Sequence, residues 1–165
     1  MKNTNSHLND ALISGVAGAV ALTAVHQAAR KVTDAAPRMD VLGVRALARG
    51  ARAAGADPDT SEHSGLYRAA LAGDLLFNSV YYSLATTWTR GAALGLLAGV
   101  GALVLPQRMG LGDPPKSELL SNKVMTVAWY TLGGLAAAWT ATCLARRRDD
   151  ANSTGGMDIE FAGVS

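Results

Sequence analysis

Residues 65–105 read GLYRAALAGDLLFNSVYYSLATTWTRGAALGLLAGVGALVL, two apolar segments with one carboxylate inside the first. No charged side chain occurs in 75–89 or in 91–107, and Arg90 alone separates these windows. A bilayer core is crossed by about 20 mostly apolar helical residues. The first segment reaches that length only when it extends back through Asp74. The stretch therefore predicts two membrane-spanning helices joined by a tight hairpin, with Asp74 buried in the first.

Two further windows, 11–29 and 124–145, also lack charged side chains. Charged residues make up 17% of the 165-residue chain, below the roughly 25% of an average soluble protein. We predict an all-α integral membrane protein with four transmembrane helices in two hairpins. The alternative is a soluble, alanine-rich helical bundle. Such a bundle needs charged outer helix faces, which these windows do not supply.

The predicted membrane domain covers residues 1–148, and the polar segment 149–165 is predicted to be a disordered C-terminal tail. A cleaved signal peptide is the rival interpretation of the first apolar segment. Against it, Asp10 abuts the apolar run, where a signal peptide carries basic residues. The four predicted spans are about 10–29, 66–88, 90–106 and 123–145.

The loop between the first two spans contains a helix of a different kind, at about 40–54. Arg45, Arg49 and Arg52 recur at positions i, i+4 and i+7, which places them on one face. Apolar residues recur on another face. A basic, moderately apolar helix beside membrane spans predicts an interfacial helix at the lipid headgroups. The alternative is a loop helix that packs on its own domain.

Basic residues are more numerous in loops 30–65 and 107–123 than on the side of the termini. The positive-inside rule then predicts that both loops face the cytoplasm and both termini lie outside a multi-pass cell membrane, by composition a bacterial inner membrane. The cluster Arg146–Arg148 opposes this orientation. Trp88 and Arg90, in the turn between the second and third spans, are predicted at the opposite membrane interface.

Glycines recur at helical spacing in the third predicted span. Gly91, Gly95 and Gly99 repeat every four residues, and so form one groove that lets another helix approach closely. The first and fourth spans supply further small residues for helix packing, namely Gly18, Gly133 and Gly134.

Asp74 lies roughly 12–15 Å from the loop end of its helix at 1.5 Å per residue, close to the middle of the membrane. Asn78 lies one helical turn further on and Tyr81 or Tyr82 follows, while Tyr130 can reach this polar stripe from the fourth span. An ionisable residue inside a membrane costs about 2.5–3.5 kcal/mol and marks a candidate functional site. His26 lies nearer than Asp74 to the loop end by roughly 8–10 Å. The two side chains can therefore interact only through a bridging water.

Two interpretations of this intramembrane polar site stay open. In the functional one, Asp74 carries or releases a proton on a small polar path. In the structural one, its carboxyl group is protonated or hydrogen-bonded and holds the helices together. The favoured function is a structural or accessory membrane subunit. The alternatives are a small-solute or proton-coupled transport element, and a membrane enzyme acting on lipid or quinone. The expected partners are the lipid bilayer and a second copy or another membrane protein.

No catalytic signature occurs in the sequence, which lacks Gly-x-Ser-x-Gly, His-Glu-x-x-His and a phosphate-binding loop after a strand. We therefore predict no enzymatic activity and no cofactor. Asp57, Asp59, Glu62 and His63 are close in sequence but lack the spacing of a calcium loop or a zinc site, so no metal is predicted. The scattered basic residues predict no nucleic-acid binding. The single cysteine, Cys143, excludes an internal disulfide.

Overall fold

The structure is a computed structural model that describes residues 2–33, 36–61, 64–113 and 119–161. Within these ranges the chain is all-α, as predicted, and no strand occurs. The described helices are α1 (Lys2–Val32), α2 (Met39–Ala53), α3 (Gly65–Tyr82), α4 (Trp88–Arg108) and α5 (Leu120–Phe161).

The four long helices pack as an open row. α5 packs along α4 on one side and along α1 on the other, and α1 packs on α3. α3 and α4 are consecutive but hardly touch, although the hydroxyl of Tyr81 donates a hydrogen bond to the carbonyl oxygen of Leu94 at 2.9 Å. The short helix α2 packs on α3. The sequence predicts that α3 and α4 pair closely, whereas in the structure α4 pairs with α5.

The turn between α3 and α4 is longer than predicted, because α3 ends at Tyr82 rather than near residue 88. The hydroxyl of Ser83, the residue after α3, donates a hydrogen bond to the carbonyl oxygen of Val80 at 2.7 Å. Thr87 then caps α4, since its hydroxyl accepts a hydrogen bond from the backbone N–H of Arg90 at 3.3 Å.

Other helix ends also differ from the predicted limits, and α1 begins at Lys2 rather than near residue 10. α4 continues through Pro106 to Arg108, and a proline in a final turn removes only one helical hydrogen bond. α5 continues to Phe161 and so includes most of the segment 149–165. The disorder expected for that segment stays a prediction.

Contacts at the two ends of the helices show which helix ends lie together. At one end Arg148 of α5 forms an ion pair with Asp10 of α1 and donates to the carbonyl oxygen of Ser6 at 3.3 Å. At the other end Arg45 of α2 donates to the carbonyl oxygen of Leu111, after α4, at 3.1 Å. The start of α1 and the region of α5 around Arg148 therefore lie at one end of the helices, and α2 and the residues directly after α4 lie at the other.

Most described buried side chains are small, with Leu22, Tyr82 and Tyr130 as the large members of the core, whereas many large apolar side chains are exposed. In soluble proteins large apolar residues are enriched inside. Here the described buried side chains include Ser14, Asn78, Ser79, Asn122, Thr126, Ala137 and Ala138. The exposed ones include Val16, Val20, Leu76, Phe77, Val80, Leu97, Val100, Val104, Val124, Leu132 and Trp139.

Two described helical segments are long and apolar enough to cross a membrane, namely Asn5–Val32 of α1 and Trp88–Arg108, the whole of α4. The other two long helices have more polar residues. α3 contains Arg68 and Asp74, and the apolar part of α5 is interrupted by aromatic, threonine and glycine residues.

Candidate functional site

Asp74 lies in the middle of α3, on the side that faces the gap between α3 and α4. Its neighbour at i+4, Asn78, is buried and donates from Nδ2 to the Asp74 carboxylate oxygen Oδ1 at 3.0 Å and to its carbonyl oxygen at 2.9 Å. The sequence predicts a buried Asp74, but the residue is exposed. The reason is that α4 packs on α5 and leaves this side of α3 uncovered.

The gap between α3 and α4 forms an apolar groove of about 480 Å³ beside Asp74. Its walls are α3 and α4, its floor is Tyr130 of α5, and α2 closes it at the loop end through Met39 and Gly43. At the opposite end α3 and α4 converge on the Tyr81–Leu94 hydrogen bond. The groove is therefore bounded at its ends and floor, and it opens sideways between α3 and α4.

A second, smaller cavity of about 60 Å³ lies on the other side of Asp74, among α1, α2, α3 and α5. It is lined by Asp74 and Tyr130, which also line the groove, and by His26, Arg30 and Asp40. A volume of this size holds one or a few water molecules when polar groups line it. Asp74 thus stands between a small polar cavity and a larger apolar groove.

His26 shares the small cavity with Asp74 but is oriented by other groups. Its Nδ1 lies 3.1 Å from the carbonyl oxygen of Leu22, and its ring meets Trp129 and Tyr130 edge-on at 5.0 and 5.8 Å between centroids. Its Nε2 is buried without a hydrogen-bond partner in the described part of the chain. The structure therefore brings His26 and Asp74 to one cavity without a direct hydrogen bond between them.

A polar cluster at the loop end of the small cavity has no counterpart in the sequence-based prediction. Asp40 of α2 meets Arg30 of α1 at 3.2 Å, accepts two hydrogen bonds from Arg38 at 3.2 Å, and accepts one from the hydroxyl of Tyr67 of α3 at 3.1 Å. Arg30 also donates to the Tyr67 hydroxyl at 3.0 Å. One carboxylate therefore ties three helices together where α2 begins.

Burial by itself raises the pKa of Asp40, because the charged form loses hydration. The Arg38 hydrogen bonds, the positive charges of Arg30 and Arg38, and the Tyr67 hydrogen bond together outweigh it. The net result is a pKa below the ordinary value for aspartate. Asp40 is therefore a charged anchor at neutral pH.

The arginine stripe of α2 contacts the chain itself. Arg45 donates from Nη1 to the carbonyl oxygens of Leu111 and Asp113 at 3.1 and 2.7 Å. Arg49 donates to that of Met109 at 2.7 Å. Headgroup contacts of this face stay a prediction, and within the chain these two arginines hold α2 to the residues directly after α4.

Replacing both Arg45 and Arg49 with glutamine is expected to loosen this attachment and to destabilise the protein by about 1–2 kcal/mol, since the bonds are charge-assisted but exposed. Faster amide hydrogen exchange over residues 109–113 measures the loss. Arg52→Gln is the matched control, because Arg52 makes no such contact within the described ranges and its replacement should leave exchange unchanged. Equal exchange in both variants contradicts the assignment.

The predicted interface residues Trp88 and Arg90 lie at the end of the row that holds the chain termini. Trp88 opens α4 and is half exposed. Arg90 donates from Nη1 to the hydroxyl of Thr86 at 3.0 Å. Both side chains therefore sit around the turn that joins α3 to α4.

The predicted packing glycines lie at helix crossings. On α4, Gly91 faces Gly134 of α5, and a Cβ added at Gly99 would lie 2.7 Å from the Cα of Val127. Gly18 of α1 faces the backbone of Gly133, where an added Cβ would lie 2.7 Å from the carbonyl oxygen. The glycine faces of α1 and α4 are thus both used inside the row, against α5.

Tyr82, which the sequence offers as an alternative to Tyr81 in the polar stripe, completes this packing. It is fully buried, and its hydroxyl donates to the carbonyl oxygen of Tyr130 at 2.7 Å. Its neighbour Tyr81 points to α4 instead. Their order in the sequence gives no signal for which tyrosine is buried, because both continue the stripe that starts at Asp74.

The acidic loop offers no metal centre in the part that the structure describes. Asp59 accepts hydrogen bonds from the backbone N–H and the hydroxyl of Ser61 at 2.8 and 3.0 Å. Glu62 and His63 lie outside the described residues. Across the described ranges, no group of three or more His, Cys, Asp or Glu side chains is placed to hold a metal ion.

Comparison of the chain with protein-family models, with curated proteins and with solved structures finds no match. The function must therefore be inferred from the arrangement around Asp74 itself.

Proposed function

We propose that this chain is an integral membrane protein whose spans are α1, α3, α4 and α5, arranged as two hairpins, α1 with α3 and α4 with α5. The inverted distribution of side chains supports this proposal. Apart from Leu22, Tyr82 and Tyr130, most buried side chains of the long helices are serine, threonine, asparagine and alanine, whereas many leucine, valine, phenylalanine and tryptophan side chains are exposed. In lipid, small and polar residues mediate helix contacts and apolar side chains meet the acyl chains.

The proposed location is a bacterial inner membrane, with loops 30–65 and 107–123 in the cytoplasm and both termini outside. The contacts of Arg148 with Asp10, and of Arg45 with Leu111, support an even number of crossings because they pair the termini and pair the loops. A C-terminal alkaline phosphatase fusion is expected to be active, and a C-terminal green fluorescent protein fusion dark. A bright fluorescent fusion would reverse the orientation.

For the biochemical role, we infer a small-solute or proton-coupled transport element that uses Asp74. The observation that carries this inference is the position of Asp74 between the polar cavity and the apolar groove. Its side-chain hydrogen bond is to Asn78 of the same helix, so it does not join two helices. That geometry favours binding over a purely structural use of the carboxylate.

Proteoliposomes loaded with a pH-sensitive dye test this role. The wild-type protein is expected to carry protons when a potassium diffusion potential is imposed, because Asp74 accepts and releases them, and Asp74→Asn is expected to abolish the flux. Asp57→Asn is the matched control, since Asp57 is an exposed loop carboxylate. Equal flux in the wild type and in Asp74→Asn would rule out the proposed role.

The second candidate function is that of a structural or accessory subunit of a membrane complex. The small residues on the side of α4 that faces the groove support this candidate. Ala98, Gly101 and Ala102 line the groove and form a small-residue surface of the kind that packs against another transmembrane helix. With Cys143 replaced by serine, Gly101→Cys should crosslink to a second copy or a partner in membranes. A monodisperse monomer in mild detergent, without crosslinking, counts against this candidate.

A further inference from the structure

We propose that the groove between α3 and α4 binds a hydrophobic organic cation that enters sideways from the bilayer. This inference rests on the proposed role of Asp74 and names the class of solute. The groove combines one carboxylate, an apolar wall and an aromatic floor, and each of these features selects a part of such a ligand.

The charge of the ligand follows from Asp74. The carboxylate is exposed to the groove, and Asn78 supplies its one side-chain hydrogen bond among the described residues, on Oδ1. No described lysine or arginine forms an ion pair with it. A carboxylate at this depth costs about 2.5–3.5 kcal/mol when it is uncompensated. A ligand with a positive charge therefore supplies the counter-charge to Asp74 that no described lysine or arginine supplies.

The apolar part of the ligand follows from the walls. Phe77, Leu97 and Leu105 line the groove beside the small residues of α4. Phe77 and Leu97 are largely exposed, at 72% and 66%. A volume of about 480 Å³ falls within the range of roughly 300–1,000 Å³ typical of small-molecule sites. An apolar ligand of that size covers these side chains.

Two tyrosines beside Asp74 add selectivity for a cation. Tyr130 forms the floor and Tyr81 lies at the narrow end, so aromatic rings lie on two sides of the space next to the carboxylate. Aromatic rings attract an organic cation that lies over their faces. A quaternary ammonium or phosphonium group carries its charge without a hydrogen-bond donor, which suits a site that combines a carboxylate with aromatic side chains.

The shape of the groove favours a small molecule over a partner helix. α2 closes the loop end through Met39, Leu42 and Gly43. The hydrogen bond between Tyr81 and Leu94 of α4 bounds the other end. A transmembrane helix needs a path across the whole bilayer, whereas a small amphiphile needs only the lateral opening.

Binding of tetraphenylphosphonium and of the similarly shaped anion tetraphenylborate to the protein in lipid nanodiscs tests the proposal. The wild type is expected to bind the cation and not the anion. Asp74→Asn should weaken cation binding by at least about tenfold, because it removes the charge that pairs with the ligand. Asp57→Asn should leave binding unchanged. Equal binding of both ions, or unchanged binding by Asp74→Asn, overturns the proposal.

A second variant keeps the test decisive if Asp74→Asn does not fold. Gly101→Leu places a large side chain in the groove and leaves Asp74 in place, and Gly101 contacts no neighbouring helix. This variant is expected to lose cation binding by steric exclusion, and undiminished binding would place the cation elsewhere. If neither ion binds the wild type while proton flux still depends on Asp74, the cation proposal fails and the transport role stands.

Discussion

Replacing Gly95 with alanine is expected to destabilise the protein by about 3 kcal/mol, because α4 and α5 can no longer approach as closely as they do. A Cβ at Gly95 would lie 2.5 Å from the Cα of Thr131 and 2.7 Å from the carbonyl oxygen of Tyr130. Both are backbone atoms of α5, so a side-chain rotation cannot relieve the overlap. The two helices must separate along the contact that joins α4 to the rest of the row.

The control for this variant is Gly73→Ala on the exposed side of α3. A Cβ at Gly73 meets nothing within 4 Å, so alanine should be neutral or should stabilise the helix by up to about 0.5–1 kcal/mol. Alanine also has a higher helix propensity than glycine at position 95, so the cost of the steric overlap there must exceed this gain. The measurement is the midpoint temperature of thermal denaturation in detergent, monitored for both variants as the loss of the monomer peak in size-exclusion chromatography. Similar midpoints for the two would contradict the close packing of α4 on α5.

The glycine pattern illustrates how much of the fold can be predicted from the sequence. A repeat of four residues places Gly91, Gly95 and Gly99 on one helix face whatever surrounds it, because the spacing alone determines the face. The choice of partner depends on complementary shape. Gly134 and Val127 of α5 match that face, and nothing in their local sequence identifies them as its partners.

The same distinction applies to the candidate site. Position along a helix can be counted from the sequence, so Asp74, Asn78 and Tyr81 were predicted as one stripe. The exposure of Asp74 could not be predicted from the spacing, because it depends on α4 packing on α5 and away from α3. The Asp40 cluster was missed for a similar reason: its partners Arg30 and Tyr67 lie on two other helices, and no spacing rule connects them.

Asp40→Asn is expected to cost about 2–3 kcal/mol at neutral pH. The Asp40 side chain is 8% exposed and that of Arg30 is 19% exposed, so the substitution leaves a mostly buried guanidinium without its counter-charge. Breaking a fully buried ion pair costs about 3–5 kcal/mol, and the partial exposure of Arg30 and Arg38 lowers that figure. The loss should appear in thermal denaturation as a lower midpoint, with α2 detaching from α1 and α3.

A smaller loss is expected for Tyr67→Phe, about 1 kcal/mol, because the hydroxyl loses its hydrogen bonds with Asp40 and Arg30 while the charge pair between those two residues remains. A double-mutant cycle of Asp40→Asn with Tyr67→Phe should show coupling, since the hydroxyl donates to the carboxylate in question. Asp59→Asn, in the exposed loop, is the control and should lie close to the wild type. Additive effects of the two cluster variants would show that Tyr67 stabilises α3 by another contact.

The pH dependence of stability gives an independent measure of the same cluster. The pKa of Asp40 is lower in the folded protein than its ordinary value of 3.8. Its contribution is therefore fully present above that value and is lost as the pH falls through the folded pKa. Wild-type unfolding followed from pH 6 to about pH 3 should include this loss, and Asp40→Asn should lack that component. A variant that keeps the full wild-type pH dependence would show that other carboxylates produce it, and that the charge of Asp40 does not hold α1, α2 and α3 together.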